Sequence, residues 1–294
     1  IGNVQNEEAK TGVTVLLFDK KTGAVVGVDI SGGGPASRET PLTSPVTADN
    51  PINAIVLSGG SAYGLAASDG VMRCLEEHGI GFETGYAKVP LVCQSCIYDL
   101  GYGSATVRPD SEMGYAACEK ALAGGNPSSG SVGAGTGATV GKICGMERAM
   151  KSGLGMYAVQ LGELRMAAVV AVNALGDIFD SSTGRKIAGL RTEDGTAFSD
   201  SCEELWKMGQ RENLFTGNTT IGAVITNGKF NKAQMNKIAS MTRNAYARCI
   251  NPVGTMADGD SIYAASAGEV EADLNVAGTL AAYVMERAIV AAIR

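Results

Sequence analysis

Gly217-Asn218-Thr219-Thr220-Ile221-Gly222-Ala223-Val224-Ile225-Thr226-Asn227 is where a polar, loop-like run from Asp194 to Asn218 stops and a short β-branched run begins. Two threonines stand at the junction, directly after Gly-Asn. A cut between Asn218 and Thr219 would leave Thr219 with a free α-amine and a hydroxyl on one residue. That pairing is one of the few ways to make a hydroxyl a good nucleophile without a histidine. Taken alone, the stretch reads more simply as a strand that starts after a turn, because Gly-Asn and Asn-Thr are ordinary turn chemistry. The rest of the chain decides between the two.

Working outward, apolar alternation predicts strands at Thr11–Phe18 and Ala24–Ile30, joined by the turn Asp19-Lys20-Lys21-Thr22-Gly23 as a hairpin. Further strands are predicted at Asn53–Leu57, Val89–Cys93, Gly155–Gln160 paired with Met166–Asn173, Asp177–Asp180, Thr219–Thr226 and Ser261–Ala265. Helical spacing appears over Ala62–Glu77 with Ser61 near its cap, and from Asp110 or Ser111 to Ala123. It appears again after Asn231 (Met235, Ile238, Thr242, Ala245 and Cys249 on one face) and over Glu271–Ile293, with a shorter helix at Cys202–Met208. Hairpins outnumber strict strand-helix alternation. That favours an α+β protein, helices layered on antiparallel sheets, over a doubly wound sheet. There is no internal repeat and no clear linker, so residues 1–294 read as a single domain.

Composition narrows the chemistry. A net charge of −6 argues against nucleic-acid or anionic-membrane partners. No apolar run approaches the roughly 18 residues of a membrane span, and Ile1 opens no signal-like segment. Forty glycines among 294 residues is about twice the usual share of roughly 7%, without a period. Such usage points to tight turns and close backbone contacts. Seven scattered cysteines suit a reducing, cytoplasmic setting without disulfides. One C-x-x-C pair, Cys93 and Cys96, and one histidine argue against a zinc site. His78 reads as a surface residue at a helix stop before Gly79. Ser-His-Asp and Cys-His catalysis are then excluded, and any hydrolytic base must lie elsewhere.

Gly133-Ala134-Gly135-Thr136-Gly137-Ala138 fits the G-x-G-x-x-[GA] pattern, but Pro/Ser/Gly and not a strand precede it, so a dinucleotide site is not supported. Ile143 after Gly141-Lys142 excludes a P-loop. Two readings remain: a loop packing backbone on backbone, or one presenting its amides, with Gly135 among them, and Lys142 to a polar active site.

In order, Thr11-Gly12-Val13-Thr14-Val15, Arg38-Glu39-Thr40, Gly59-Gly60-Ser61-Ala62-Tyr63-Gly64-Leu65, Asp69-Gly70-Val71, Gly133–Ala138, Asn173-Ala174-Leu175-Gly176-Asp177 and Asn218-Thr219-Thr220-Ile221 resemble the S58 peptidase family. That family holds the DmpA-type L-aminopeptidase/D-esterases, β-peptidyl aminopeptidases and nylon-oligomer hydrolases. The resemblance covers nearly the whole chain. It implies a four-layer αββα sandwich of the DmpA/ornithine-acetyltransferase type. It also implies a precursor that cuts itself into 1–218 and 219–294, and a cytoplasmic homo-oligomer, a tetramer of cleaved protomers.

By resemblance, the cleavage site is Asn218–Thr219 and Thr219 is the nucleophile. Asp258 and Asp260 would orient it, Asn173 would help bind the oxyanion, and Lys142 matches a lysine of the nylon branch. Tyr98 is placed at a substrate-pocket tyrosine. Aminopeptidase relatives carry a glutamate near Val92-Cys93-Gln94; the neutral Gln94 here bears on specificity for a free amine, not on amide hydrolysis. The implied reaction is amide hydrolysis of a small peptide or amide through an acyl-Thr219 intermediate, with no metal or organic cofactor. Two alternatives remain. One is an acetyltransferase of the ornithine-acetyltransferase type, whose Met-Ala-Thr-Met-Leu signature is absent; the other is an uncut, non-enzymatic binding protein.

Overall fold

The protein is described by a computed structural model covering residues 1–19, 21–209 and 217–293. Lys20 of the predicted turn and positions 210–216 of the polar run lie outside the described residues. In chain order the strands that build the two main sheets and the flanking ribbon are β1 (Gly2–Asn6), β2 (Thr11–Leu17), β3 (Val25–Ile30), β4 (Ser37–Arg38), β5 (Ala54–Ser58) and β6 (Val92–Cys96). They continue as β7 (Leu154–Leu161), β8 (Leu164–Ala171), β9 (Asp177–Asp180), β10 (Arg185–Ala188), β11 (Ile221–Gly228) and β12 (Ser261–Val270). The helices are α1 (Ala67–Glu77), α2 (Ser111–Leu122), α3 (Ser201–Met208), α4 (Lys232–Cys249) and α5 (Leu274–Ala291).

Two five-stranded sheets lie face to face. One has the order β1-β2-β5-β6-β4, the other β7-β8-β11-β12-β3. Strand alternation sorts the side chains into layers. Ile55 and Leu57 of β5 point inward and meet Val169, Ala171, Ile221, Ala223, Tyr263 and Ala265 from the facing sheet. Ala54 and Val56 of the same strand point outward to Val71 and Leu75 of α1 and Ala117 and Cys118 of α2. On the far side, Val170, Val224 and Ala264 meet Met235, Ile238 and Tyr246 of α4 and Val284, Met285 and Ala288 of α5. The result is the α+β, four-layer αββα sandwich expected from the sequence.

The caps are legible in chemical terms. Asp110 caps α2 by accepting from Met113 N, and Asn231 with Gln234 forms a full capping box at α4. Glycine use follows from close approach. Gly70 of α1 faces the backbone of Ser111, and Gly114 of α2 faces that of Ala67; a methyl at either would collide with main chain.

Three expectations change. Thr11–Phe18 and Ala24–Ile30 are both strands but not a hairpin: β2 pairs with β1 and β5, while β3 pairs antiparallel with β12 in the other sheet. Alternation is the same whether a turn folds a strand back or carries it across to the facing sheet. The Ala62–Glu77 helix opens as a 3-10 turn over Ser61–Ala66, and Ser61 sits in the left-handed region (φ 54°) without capping. Finally, α5 is long and apolar enough to cross a membrane (mean hydropathy 1.2 over 18 residues), which the sequence reading did not find in any segment. Here it is a core helix, packed on α4, β7 and β8. All seven cysteines are free.

Candidate active site

Sheet topology assembles the site. β11 and β12 run parallel, with Ile221 opposite Ser261, so the residues before each strand lie side by side. β8 is antiparallel to β11, with Ala171 opposite Ile221, so its C-terminal end arrives at the same edge. Thr219 and Thr220, Asp258 to Asp260, and Asn173 thus converge from three strand ends, and an isolated bridge ties Asn218 to Asp258. The ladder of β11 starts at Ile221, so both threonines precede it rather than opening the strand.

All of these residues are buried. Thr219 N donates to the Asn173 carbonyl at 2.9 Å. The Thr219 hydroxyl donates to the carbonyl oxygen of Asn218, and Gly259 N donates to that same oxygen at 3.1 Å. Thr220 points away. Its N–H donates to Asp260 Oδ1 at 2.7 Å, and its hydroxyl has no hydrogen-bond partner among the described residues.

Asn173 is held on both ends of its side chain. Its Oδ1 accepts from Lys142 Nζ at 2.8 Å and from Thr139 N at 3.1 Å, and its Nδ2 donates to the Tyr98 carbonyl at 2.9 Å. An amide nitrogen carries two N–H donors, which leaves one for an oxyanion. Lys142 Nζ also donates to the Asn173 carbonyl at 3.1 Å and to the Gly217 carbonyl at 3.3 Å. Asp258 Oδ2 accepts from Thr255 N and Oγ1 at 2.8 and 2.7 Å; Asp260 Oδ2 accepts from Gly254 N at 3.0 Å.

Burial sets the charges. It pulls the Lys142 ammonium down to about 7, against the opposing pull of Asp258, Asp99 and Asp260. The two site aspartates are both raised, chiefly by burial; for Asp260 the neighbouring Asp258 adds to this, while backbone N–H donors and Lys142 oppose it. The cluster is therefore a buried lysine that gives up its proton near neutrality, beside two carboxylates that repel each other.

A cavity of about 170 Å³ opens beside the cluster, lined by Tyr98, Tyr102, Met146 and Lys142 together with Gly217 and Asn218. Gly217 packs so close to the Tyr98 ring that a β-carbon there would collide with it. A larger apolar groove of about 590 Å³ runs along Val159, Met166 and Ile225 and holds none of the Thr219 cluster. Its size is not evidence of chemistry.

Two expected substrate contacts move elsewhere. Gln94 is fully buried on β6, where its amide bonds Ser68 Oγ, Ser58 Oγ and the Gly64 carbonyl, and it does not line the cavity. A strand interior gave its polar head those partners instead of solvent. Gly135 is also fully buried, with the backbone of Leu154 against it and its carbonyl on Lys151 Nζ. Of the two readings of its loop, backbone packing describes Gly135, while Lys142 does reach the polar cluster. The sequence reading missed Gly259, Thr139 and Thr255. They act through backbone amides and a hydroxyl, and no residue type marks an amide donor. Asp99 follows Tyr98 in the chain, but both its oxygens are occupied, by Thr11 Oγ1 and Gly60 N at 2.7 Å each.

A buried hydroxyl held against a peptide carbonyl, with a lysine, an asparagine amide and two carboxylates around it, sits on an αββα frame, and the family match makes the chain a hydrolase. The chain belongs to peptidase family S58, whose family model matches residues 1–294. It is 38% identical over 269 residues to an uncharacterized aminopeptidase of Mycobacterium leprae, covering 89% of this chain and 72% of that one. It is 33% identical over 278 residues to a 6-aminohexanoate-oligomer endohydrolase of a Kocuria species, covering 92% and 73%. Among solved structures, the L-aminopeptidase D-Ala-esterase/amidase of Ochrobactrum anthropi superposes with a TM-score of 0.68 at 16% identity, covering 99% of this chain and 82% of that one. A Burkholderia β-aminopeptidase superposes at 0.65 and 17%, covering 99% and 81%. At those identities the structural likeness speaks for the fold.

Proposed function

We propose that the chain cuts itself between Asn218 and Thr219, and that the freed Thr219 then hydrolyses amide bonds of small peptides or amino-acid amides through an acyl-Thr219 intermediate. The observation that carries this is the Thr219 hydroxyl held against the Asn218 carbonyl, whose oxygen also takes the Gly259 N–H. In the cut, Thr219 Oγ1 bonds to the Asn218 carbonyl carbon and the C–N bond breaks. The hydroxyl proton ends on the departing Thr219 nitrogen, by way of neutral Lys142 or a water. Gly259 N–H stabilises the developing oxyanion, a contact of about 3 kcal/mol. Water then splits the ester, leaving the Asn218 carboxylate and a Thr219 α-amine.

In turnover, that amine, of ordinary pKa about 8, serves as the base. The free N–H of Asn173 meets the substrate oxyanion. Denaturing mass spectrometry of mature protein is expected to find one fragment ending at Asn218 and another beginning at Thr219. A chain that stays whole on long incubation overturns the proposal. Acetyl transfer from N-acetylornithine in place of hydrolysis would favour the transferase reading.

A further inference from the structure

We propose that Cys74, His78 and Glu119 form a divalent-cation site, suited to zinc, bridging α1 and α2 on the outer face of the first sheet. The three ligand atoms lie within 4.8 Å of one another. His78 caps α1 four residues after Cys74 and so lies over the same face; Glu119 reaches them from α2. The Sγ of Cys74 is 3.3 Å from Glu119 Oε1, and His78 Nε2 is 3.6 Å from the same oxygen. A tetrahedral zinc with bonds of about 2.3 Å to sulfur and about 2.0–2.1 Å to nitrogen or oxygen has ligand-ligand edges of roughly 3.3–3.5 Å. The two edges that meet at Glu119 Oε1, 3.3 and 3.6 Å, lie close to that frame.

The orientation of His78 is the second, independent observation. Its Nδ1 lies 2.9 Å from the Cys74 carbonyl. A carbonyl only accepts, so Nδ1 carries the proton and donates. That leaves the Nε2 lone pair facing a carboxylate oxygen. A backbone carbonyl on the far ring nitrogen is the support that metal-ligating histidines ordinarily have. Two acceptors face each other here unless a proton or a metal stands between them. Among the described residues, Glu119 has no ion-pair partner other than His78. The Cys118 thiol packs against that of Cys74, so the fourth position is open to that sulfur or to water. The site is remote from the Thr219 cluster, which lies between the sheets. Its action is to add a clamp to two helices already in close contact at Gly70 and Gly114 and joined by Arg73 with Glu112 and Tyr115 with Glu77.

The competing account is a protonated His78 in a surface ion pair with Glu119. Purified protein, stripped of metal and kept reduced, is titrated with Co²⁺ alone and read for thiolate-to-cobalt charge transfer, then with Zn²⁺ and read for thermal midpoint. One equivalent of Co²⁺ should bind with a thiolate band and tetrahedral visible absorption, and Zn²⁺ should displace it and raise the midpoint. His78→Ala, at a half-exposed position where folding is not at risk, should lose the band and the midpoint shift. Glu119→Gln should weaken both, and Cys202→Ser, a thiol elsewhere, should keep both. Absence of saturable Co²⁺ binding, or a band that survives in His78→Ala, overturns the proposal in favour of the ion pair.

Discussion

Lys142 and Thr219 donate to one acceptor: Lys142 Nζ at 3.1 Å and Thr219 N at 2.9 Å both meet the main-chain carbonyl of Asn173. One carbonyl oxygen has two lone pairs, so both nitrogens can be bound at once. An amine released at Thr219 by the proposed cut would thereby be held beside Lys142. Two cations there would repel each other, and burial already disfavours charge on Lys142. Burial and that repulsion both favour a neutral nitrogen, which is the form a base needs.

That arrangement predicts a pH signature in stability. The folded pKa of Lys142 is lowered from its ordinary value to about 7, so between about pH 7 and about pH 10.4 the unfolded chain binds a proton that the folded chain does not. Stability then rises with pH across that window, by at most about 1.4 kcal/mol per unit, and this contribution is flat below it, where both states are protonated. Comparing Lys142→Met with the parent, both in an uncut Thr219→Ala background, isolates this from other groups. Urea unfolding should show the variant's stability relative to the parent falling steadily from pH 7 to pH 10. A difference that does not change with pH would mean that Lys142 is charged in the fold.

Thr219 and Thr220 should behave differently. Thr219→Ala is expected to leave one uncut chain with amidase turnover below about a thousandth of the parent's. Thr219→Ser should still cut. A side-chain hydrogen bond at Thr220 would be worth about 1 kcal/mol. Its hydroxyl has no such partner among the described residues, and it is buried. Thr220→Val, which keeps the shape and removes the orphan hydroxyl, should therefore cut normally and lose no stability. Gel and denaturant midpoints check both statements. Cutting lost in Thr220→Val but kept in Thr219→Ala would place the junction one residue away.

Legibility in the sequence followed locality. The capping residues Asp110 and Asn231 and the alternation of β5 were readable because each signal lies within one segment. The destination of β3 was not, because Val25–Ile30 satisfies either sheet and only Gly27 packed on α4 distinguishes them. At the site, Thr219 and Asn173 came from the ordered motifs, Lys142, Asp258 and Asp260 from what the family resemblance implied, and the fold brings all five together. Gln94 failed because a strand residue's polar head can be satisfied inside the protein. The backbone donors Gly259 and Thr139 left no trace in residue type. His78 is the exposed C-cap of α1, as its spacing before Gly79 indicated, while Glu119 left no sign in the sequence because it sits on another helix.

Asn173 is expected to matter twice. Asn173→Ala removes the acceptor of Lys142 Nζ and Thr139 N and the donor to the Tyr98 carbonyl. Leaving such buried groups unpaired costs about 1–3 kcal/mol each at most. It also removes the N–H proposed for the substrate oxyanion, worth roughly 10²–10³ in rate. Asn173→Asp keeps the acceptor but not the donor, so it should hold Lys142 in place and restore stability without restoring turnover. Equal loss of stability in both variants would reduce Asn173 to a structural role.

Gly259 offers the sharpest test of the hydroxyl's position. A β-carbon there would lie 2.8 Å from Thr219 Oγ1 and 2.9 Å from the Gly34 carbonyl oxygen. That is closer than side-chain carbon normally approaches either group, and the hydroxyl is the more movable of the two because it can rotate about χ1. Gly259 is not among the residues with positive φ, so alanine costs no backbone strain. Gly259→Ala should therefore fold, yet rotate Thr219 Oγ1 off the Asn218 carbonyl and slow cutting by at least about tenfold. Gly34→Ala nearby is the control, since its new carbon would meet nothing closer than the Asp258 carbonyl oxygen at 3.9 Å. Time courses of chain cleavage for the two variants, each first shown to unfold cooperatively, compare them directly. Normal cutting in Gly259→Ala would mean that the hydroxyl attacks from a different rotamer than the one seen here.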